Sequence, residues 1–181
     1  MTAATSTGRT VSIRRRVERS APANVMKIRF YEPRDAAAVC VLYRRSVEEI
    51  GPKDYSTEQV AAWAALTPTA EQIDARASDG RTTFVAVDDN DKPVGLIDLE
   101  VDGHIDLLYC APEVSGSGVA SLLYQALEAA ARAREMPRLY SEASEAARRF
   151  FLKRGFVELS RRQMEIGGVA IHNFAVEKVL G

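Results

Sequence analysis

The sequence predicts an α/β fold in which a mixed, mostly antiparallel central sheet with a central parallel strand pair is flanked by helices on both faces. Three observations predict it. Helical periodicity fills the first third after one short strand, alternating runs joined by turn residues fill the middle, and a long amphipathic helix then separates two further strand-like runs. Hairpins make antiparallel neighbours, whereas a strand, helix and strand in succession make a parallel pair through a right-handed crossover.

In chain order, Lys27 to Tyr31 alternates as a short strand, and Pro33-Arg34-Asp35 opens a helix to about Ile50 with Val39, Leu42, Val47 and Ile50 on its apolar side. Gly51-Pro52 ends it. Ser56-Thr57-Glu58-Gln59 is a capping-box pattern starting a helix through Trp63 and Leu66, and Pro68 breaks this before a third helix around Ala70 to Ala77. Strands are expected at Thr83 to Val87, Pro93 to Val101 and His104 to Cys110. A two-residue turn at Asp102-Gly103 pairs Val101 with His104, Leu99 with Asp106 and Ile97 with Leu108, placing all six side chains on one face and Asp98, Glu100 and Tyr109 on the other. Ser117 to Arg134 reads as the crossover helix and Arg138 to Glu142 as the strand after it. Ser144 caps a last helix to Lys153 that stops at Gly155, and Phe156 to Ile166 pairs with Val169 to Val179 across Gly167-Gly168.

Composition narrows the function classes. With 181 residues, 46% of them hydrophobic, the chain has the size and apolar content of one domain. Its 24 Lys plus Arg against 25 Asp plus Glu leave a formal charge of -1, so no overall basic field gathers nucleic acid. Cys40 and Cys110 lie in apolar stretches without CxxC or Cys/His spacing, which implies neither a disulfide nor a zinc framework. The longest apolar run is far shorter than the roughly 18 residues of a membrane span, and a cytoplasmic protein is expected. Residues 1–25, with Arg14-Arg15-Arg16 and no sustained periodicity, are expected to form a disordered extension before one domain over 26–181. An Arg-rich targeting peptide has similar composition, but Met26 directly before the first strand favours a tail or an upstream start.

The stretch that carries chemistry is Leu108-Tyr109-Cys110-Ala111-Pro112-Glu113-Val114-Ser115-Gly116-Ser117-Gly118-Val119-Ala120, where a strand passes through a tight loop into a helix. A helix start has unpaired N–H groups and the positive end of the macrodipole, and Gly116 and Gly118 admit close approach of an anion, so a phosphate or pyrophosphate is the natural guest. Val119-Ala120 supplies neither the Lys nor the Ser/Thr of a Walker loop. Ser121 stands where the dinucleotide fingerprint has its third glycine, and the preceding strands form a hairpin rather than an alternating βαβ chain.

On these residues the chain resembles the GNAT superfamily of acyl-CoA-dependent N-acetyltransferases, whose pyrophosphate loop reads Gln/Arg-x-x-Gly-x-Gly/Ala; here it is Ser115-Gly116-Ser117-Gly118-Val119-Ala120. The order of elements and Ala147-x-x-Phe150-Phe151-x-x-x-Gly155-Phe156 are similar as well, over about Met26 to Leu180. The resemblance implies acetyl-CoA as cosubstrate with no metal, its pyrophosphate on residues 115–120 and its pantetheine arm added like a strand to Leu108, Tyr109 and Cys110. It also permits a coenzyme contact from the Ser144 hydroxyl and from Phe151, and it implies a homodimer as a common assembly. Ser115 removes the long donor of the motif but leaves the backbone cradle. Phe151 stands where many members have the Tyr that protonates the departing thiolate, whose pKa near roughly 8.5 lets it leave with little help.

The reaction so implied is direct attack of a neutral amine on the thioester. It needs a proton acceptor and a donor to the carbonyl oxygen, the latter a backbone N–H near Leu108 or Tyr109. His104 and Asp106, two residues apart on the strand leading to the loop, are the candidate bases, with Asp98 and Glu100 as rivals. Tyr55, Trp63, Asp98 and His172 are candidate acceptor contacts; Trp63 with Val60 and Leu66 also has the spacing of a helix core. The expected acceptor is a small-molecule primary amine. Alternatives are a protein or aminoacyl-tRNA amine, or a non-catalytic acyl-CoA-binding module.

Overall fold

A computed structural model of the protein describes residues 26–181, and the expected extension over 1–25 lies outside the described residues. Strand β1 (Lys27–Phe30) is followed by helices α1 (Ala36–Ile50), α2 (Thr57–Ala64) and α3 (Ala70–Ala77). Strands β2 (Thr82–Val87), β3 (Pro93–Leu99) and β4 (Leu108–Cys110) then lead into α4 (Val119–Ala133), and β5 (Arg138–Ala143), α5 (Glu145–Leu152), β6 (Val157–Ile166) and β7 (Val169–Val179) complete the chain. The capping box at Ser56 is formed in full, with Gln59 N donating to Ser56 Oγ and the Gln59 side chain accepting from Ser56 N. Ser144 caps α5 by accepting from Ala147 N.

The strands form two antiparallel sheets, β1-β2-β3-β4 and β5-β7-β6. Helix α4 and its neighbours bury the main core around Ile97, Leu99, Leu123, Leu127, Leu139 and Phe151, which both sheets share. Helices α1 and α3 cover the opposite face of the first sheet through Val39, Ile73, Val85 and Leu96. Gly95 lets α4 sit close on β3, since a Cβ there would lie 2.8 Å from Leu123 Cδ1. No helix among the described residues is long and apolar enough to cross a membrane.

Two features differ from the expectation, and both occur where the sheets meet. The expected parallel pair is reduced to one bridge between His104 and Tyr140, with Ile105 N donating to Tyr140 O and Tyr140 N to Gly103 O; β4 and β5 then separate. Gly103 has φ +94, and any side chain on it would collide with the Arg138 carbonyl, so glycine is what allows the two backbones to touch. The β3-β4 hairpin is also not a uniform ladder. Ile97 pairs with Leu108 as expected and Asp98 N donates to Leu107 O, but Glu100 N donates to His104 O, one residue out of register. The extra residue is a bulge at Ile105-Asp106.

The bulge reassigns the faces. An uninterrupted hairpin places Asp106 beside Ile97 and Leu99 in the core, where an ionised carboxylate has no compensation. Instead Ile105 takes the core position at 1% exposure, and Asp106 turns to the side of Asp98. The carboxylate of Asp98, itself 1% exposed, fills the gap in the ladder: Oδ1 accepts from Asp106 N at 3.1 Å and Leu107 N at 2.7 Å, while Oδ2 accepts from Arg81 Nη1 at 2.7 Å. Burial pushes this carboxyl upward in pKa, against the pull of the Leu107 N–H and the guanidinium. Breaking a buried pair of this kind costs about 3–5 kcal/mol, because the remaining charge is left without its partner. Asp98→Asn is therefore expected to lower unfolding free energy by about that amount in a urea titration; a loss under about 1 kcal/mol would show that the ladder holds without it.

Candidate active site

The glycine loop behaves as its sequence implies, with one refinement. A 3-10 turn over Pro112–Val114 leads through Ser115, where Ser115 N donates to Pro112 O and Ser117 N to Val114 O. Gly116 has φ +78 and Gly118, the residue before α4, has φ +92. A Cβ at either would meet nothing within 4 Å, so these glycines are required by backbone conformation, and open space lies over them. The N–H groups of Gly116, Gly118, Val119 and Ala120 have no backbone partner among the described residues. They stand at the positive end of a 15-residue helix that carries no acidic residue in its first turn.

The separation of β4 from β5 opens a cavity of about 820 Å³ that runs from this loop to the early helices. Along β4 the alternation of the antiparallel ladder fixes which backbone groups face it. Asp98 N bonds Leu107 O and Ala111 N bonds Val94 O, so Tyr109 directs its N–H and C=O to β3, while Leu108 and Cys110 direct theirs to the open side. Of the three residues expected to offer backbone groups, Tyr109 contributes its side chain instead. Its ring lies 4.3 Å from that of Tyr43, and burial raises the pKa of its hydroxyl well above the ordinary value. Burial likewise pushes the Cys110 thiol up to about 12, so it stays protonated and poorly nucleophilic.

The remaining expected residues divide between wall and scaffold. Ser115, Gly116, Gly118, Val119, Ala120, Ser144, Tyr55, Trp63 and Asp106 line the cavity. Ser117 turns its hydroxyl back to Val114 O at 2.7 Å. Phe151, fully buried, packs against Phe150 and Phe156 at the rear of the cavity. Asp98, on β3, does not line the cavity and serves as a structural acceptor. His104 stacks on Tyr140 and places Nε2 2.7 Å from Glu142 Oε2, so its imidazole reaches the cavity only through Glu142. His172 pairs through Nε2 with Glu145 at 3.0 Å, and its carbonyl accepts from the Tyr55 hydroxyl at 3.3 Å. Asp106 is flanked by Arg76 and by Arg81, the latter at 3.6 Å.

Several residues of the cavity wall were not picked out from the sequence. Tyr43 lies on the apolar stripe of α1 between Val39 and Val47, where it reads as core. Arg154, just past α5, contacts Ser121 Oγ on the first turn of α4 and sets a cation beside the loop, near the place left short of a donor by Ser115. Asp54 and Arg149 form a two-bond ion pair at 2.7 and 2.8 Å from the segment before α2 to α5, and Arg149 lowers the Asp54 pKa. Tyr55, whose own pKa is raised by burial, accepts from Glu145 N at 3.0 Å, so the cavity is spanned at this end.

Comparison with known proteins agrees with this geometry. A family model described as an acetyltransferase (GNAT) domain matches residues 52–178. The uncharacterized N-acetyltransferase YafP of Escherichia coli is 30% identical over 151 residues, covering 83% of this chain and 94% of that protein. A GCN5-related N-acetyltransferase from Rhodopseudomonas palustris, also described as a class-II aminotransferase, superposes with a TM-score of 0.79 at 35% identity, over 89% of this chain and 100% of that one. The PaiA N-acetyltransferase of Thermoplasma acidophilum, solved in complex with coenzyme A, shares the fold with a TM-score of 0.68 at 17% identity, over 86% and 99%. The matched model covers well over half of the chain, and the chain belongs to the GNAT superfamily as an acetyl-CoA-dependent N-acetyltransferase.

Proposed function

We propose that the protein transfers acetyl from acetyl-CoA to a primary amine of a small molecule by direct attack within a ternary complex. The observation that carries the small-molecule part is the closed acceptor end. Tyr55 is bonded to both α5 and β7, Asp54 is bonded to Arg149, and Gln59 Nε2 donates to Ala170 O at 2.9 Å. These links tie α2 and the segment before it across the cleft, leaving a pocket suited to a compact acceptor rather than a trough for a polypeptide. The reading also takes the protein to be cytoplasmic, where acetyl-CoA is available.

In this reading the pyrophosphate sits on the N–H groups of Gly116, Gly118, Val119 and Ala120, with Arg154 as the nearby cation, and the pantetheine arm extends along Leu108 and Cys110. The amine nitrogen attacks the thioester carbon, the carbonyl oxygen is received by the Leu108 N–H, and the coenzyme A thiolate departs as the tetrahedral centre collapses. Asp106 takes the ammonium proton, directly or through one water, because its carboxylate is the candidate base in the cavity wall. His104 is a positioning residue that acts through Glu142. The high pKa of Cys110 removes the thiol that an acetyl-enzyme route would need at this place.

Isothermal titration is expected to show acetyl-CoA binding to the folded protein, and absence of binding at millimolar concentration would sink the reading. Gly118→Val forces a branched residue into a left-handed conformation beneath the phosphates and should weaken that binding by at least about tenfold. Arg154→Ala should weaken it about three- to tenfold, in a salt-dependent manner. Asp106→Asn should reduce kcat/KM about 10²- to 10⁴-fold with acetyl-CoA affinity retained. His104→Ala should cost less than Asp106→Asn and shift the pH profile; the reverse order of the two would reassign the base.

A further inference from the structure

The acceptor end of the cavity has a chemical character of its own, and its reading rests on the acetyltransferase function proposed above. Three aromatic side chains, Tyr43, Tyr55 and Trp63, stand in its apolar wall beside Val47, Ile50 and Val60, with Tyr55 and Trp63 meeting edge to face at 5.5 Å. One carboxylate, Asp106, stands in this part of the wall, and it belongs to a cluster with Asp79, Asp98 and Glu100, which lie outside the cavity and share the guanidiniums of Arg76 and Arg81. The cations that line the cavity come from α5 and the residues after it: Arg149 is held by Asp54, Lys153 follows, and Arg154 contacts Ser121 beside the glycine loop. A carboxylate or phosphate on an acceptor beside Asp106 would therefore meet a carboxylate whose guanidinium neighbours are already engaged, whereas an ammonium is drawn in and held beside an aromatic surface.

The second observation is Asn173 on β7, a cavity residue only 8% exposed. Its Oδ1 has no hydrogen-bond partner among the described residues, and its Nδ2 makes only a long contact to Met164 Sδ at 3.4 Å. Buried amide oxygens are seldom left unpaired, and one in the wall of a binding cavity is satisfied when a ligand brings a donor.

We propose that the acceptor is a cationic primary amine on an aromatic or aliphatic body without an acidic group, and that Asn173 orients it by accepting a hydrogen bond from an N–H or O–H of that body. Amino acids, through their carboxylate, and phosphorylated amines are excluded by charge, not by size. Three matched pairs test this: tyramine against tyrosine, tryptamine against tryptophan, and cadaverine against lysine, each assayed by thiol release from acetyl-CoA. In at least one pair the decarboxylated amine should have a kcat/KM at least about tenfold above its amino acid.

Asn173→Leu should raise KM for that amine about tenfold, the effect of one lost hydrogen bond to a ligand, with kcat changed less and the acetyl-CoA Kd unchanged. Asn173→Asp keeps an acceptor oxygen and should restore most of the affinity; a purely structural asparagine would lower thermal stability in both variants and leave the KM pattern alone. Amino acids used as well as their amines, turnover of none of the three amines by protein that binds acetyl-CoA, or an unchanged KM in Asn173→Leu each overturns the inference. Failure to bind acetyl-CoA at all overturns the parent reading instead.

Discussion

The carboxylate of Asp98 is the interaction on which the working part of the molecule depends. A β-strand that leaves its neighbour strands backbone N–H groups, and these must find partners if they are buried. Here the strand leading to the glycine loop breaks register with β3 at Ile105-Asp106, and Asp98 supplies the acceptor for two N–H groups that the ladder no longer serves. With those groups satisfied, Ile105 can turn into the core and β4 can continue away from β5. A closed parallel pair would have occupied the backbone groups of Leu108 and Cys110 with β5. The cleft exists because a side chain does the work of a strand for two residues.

From this break the rest of the site follows by short mechanical links. Gly103 holds the strands together on one side of the break, since only glycine lets its backbone approach the Arg138 carbonyl. Beyond the break, β4 is three residues long and delivers the chain into the 3-10 turn and the two left-handed glycines that start α4. Arg81 couples the same carboxylate to Asp106, Glu100 and Asp79, so the candidate base and the structural acceptor share one guanidinium. A change at Arg81 would therefore disturb the fold and the reacting end together.

Local chemistry was well written in the sequence. The capping box at Ser56, the glycine turn, the crossover helix and the last hairpin depend on residues close together along the chain, and their positions are found within one or two residues of the expectation. What periodicity did not reveal was the bulge, because Leu99, Ile105 and Asp106 satisfy either register locally; the choice is made by the desolvation cost of putting Asp106 in the core. Long-range convergence hid other parts of the cavity: Tyr43 and Arg154 belong to elements far apart in sequence, each reads locally as a core stripe or a helix tail, and only the fold brings both to one cavity. His104 shows the opposite case: its spacing from Asp106 suggested a shared face, and the bulge separates them so that the imidazole stands behind Glu142.

The charges of the cavity also explain how one cleft can take two substrates at once. The coenzyme is a polyanion, and its end of the cleft has unpaired N–H groups, the positive pole of α4 and the cation Arg154. The end assigned to the acceptor has the Asp106 carboxylate and aromatic side chains in its wall. In the proposed reading this contrast favours an amine at one end and the coenzyme phosphates at the other. Leu108 and Cys110 run along β4 between them, and the backbone groups they direct to the open side are neutral and directional. In the proposed reaction the amine attacks the thioester between these two ends, with the ammonium charge of the tetrahedral state toward Asp106 and the oxyanion toward the Leu108 N–H.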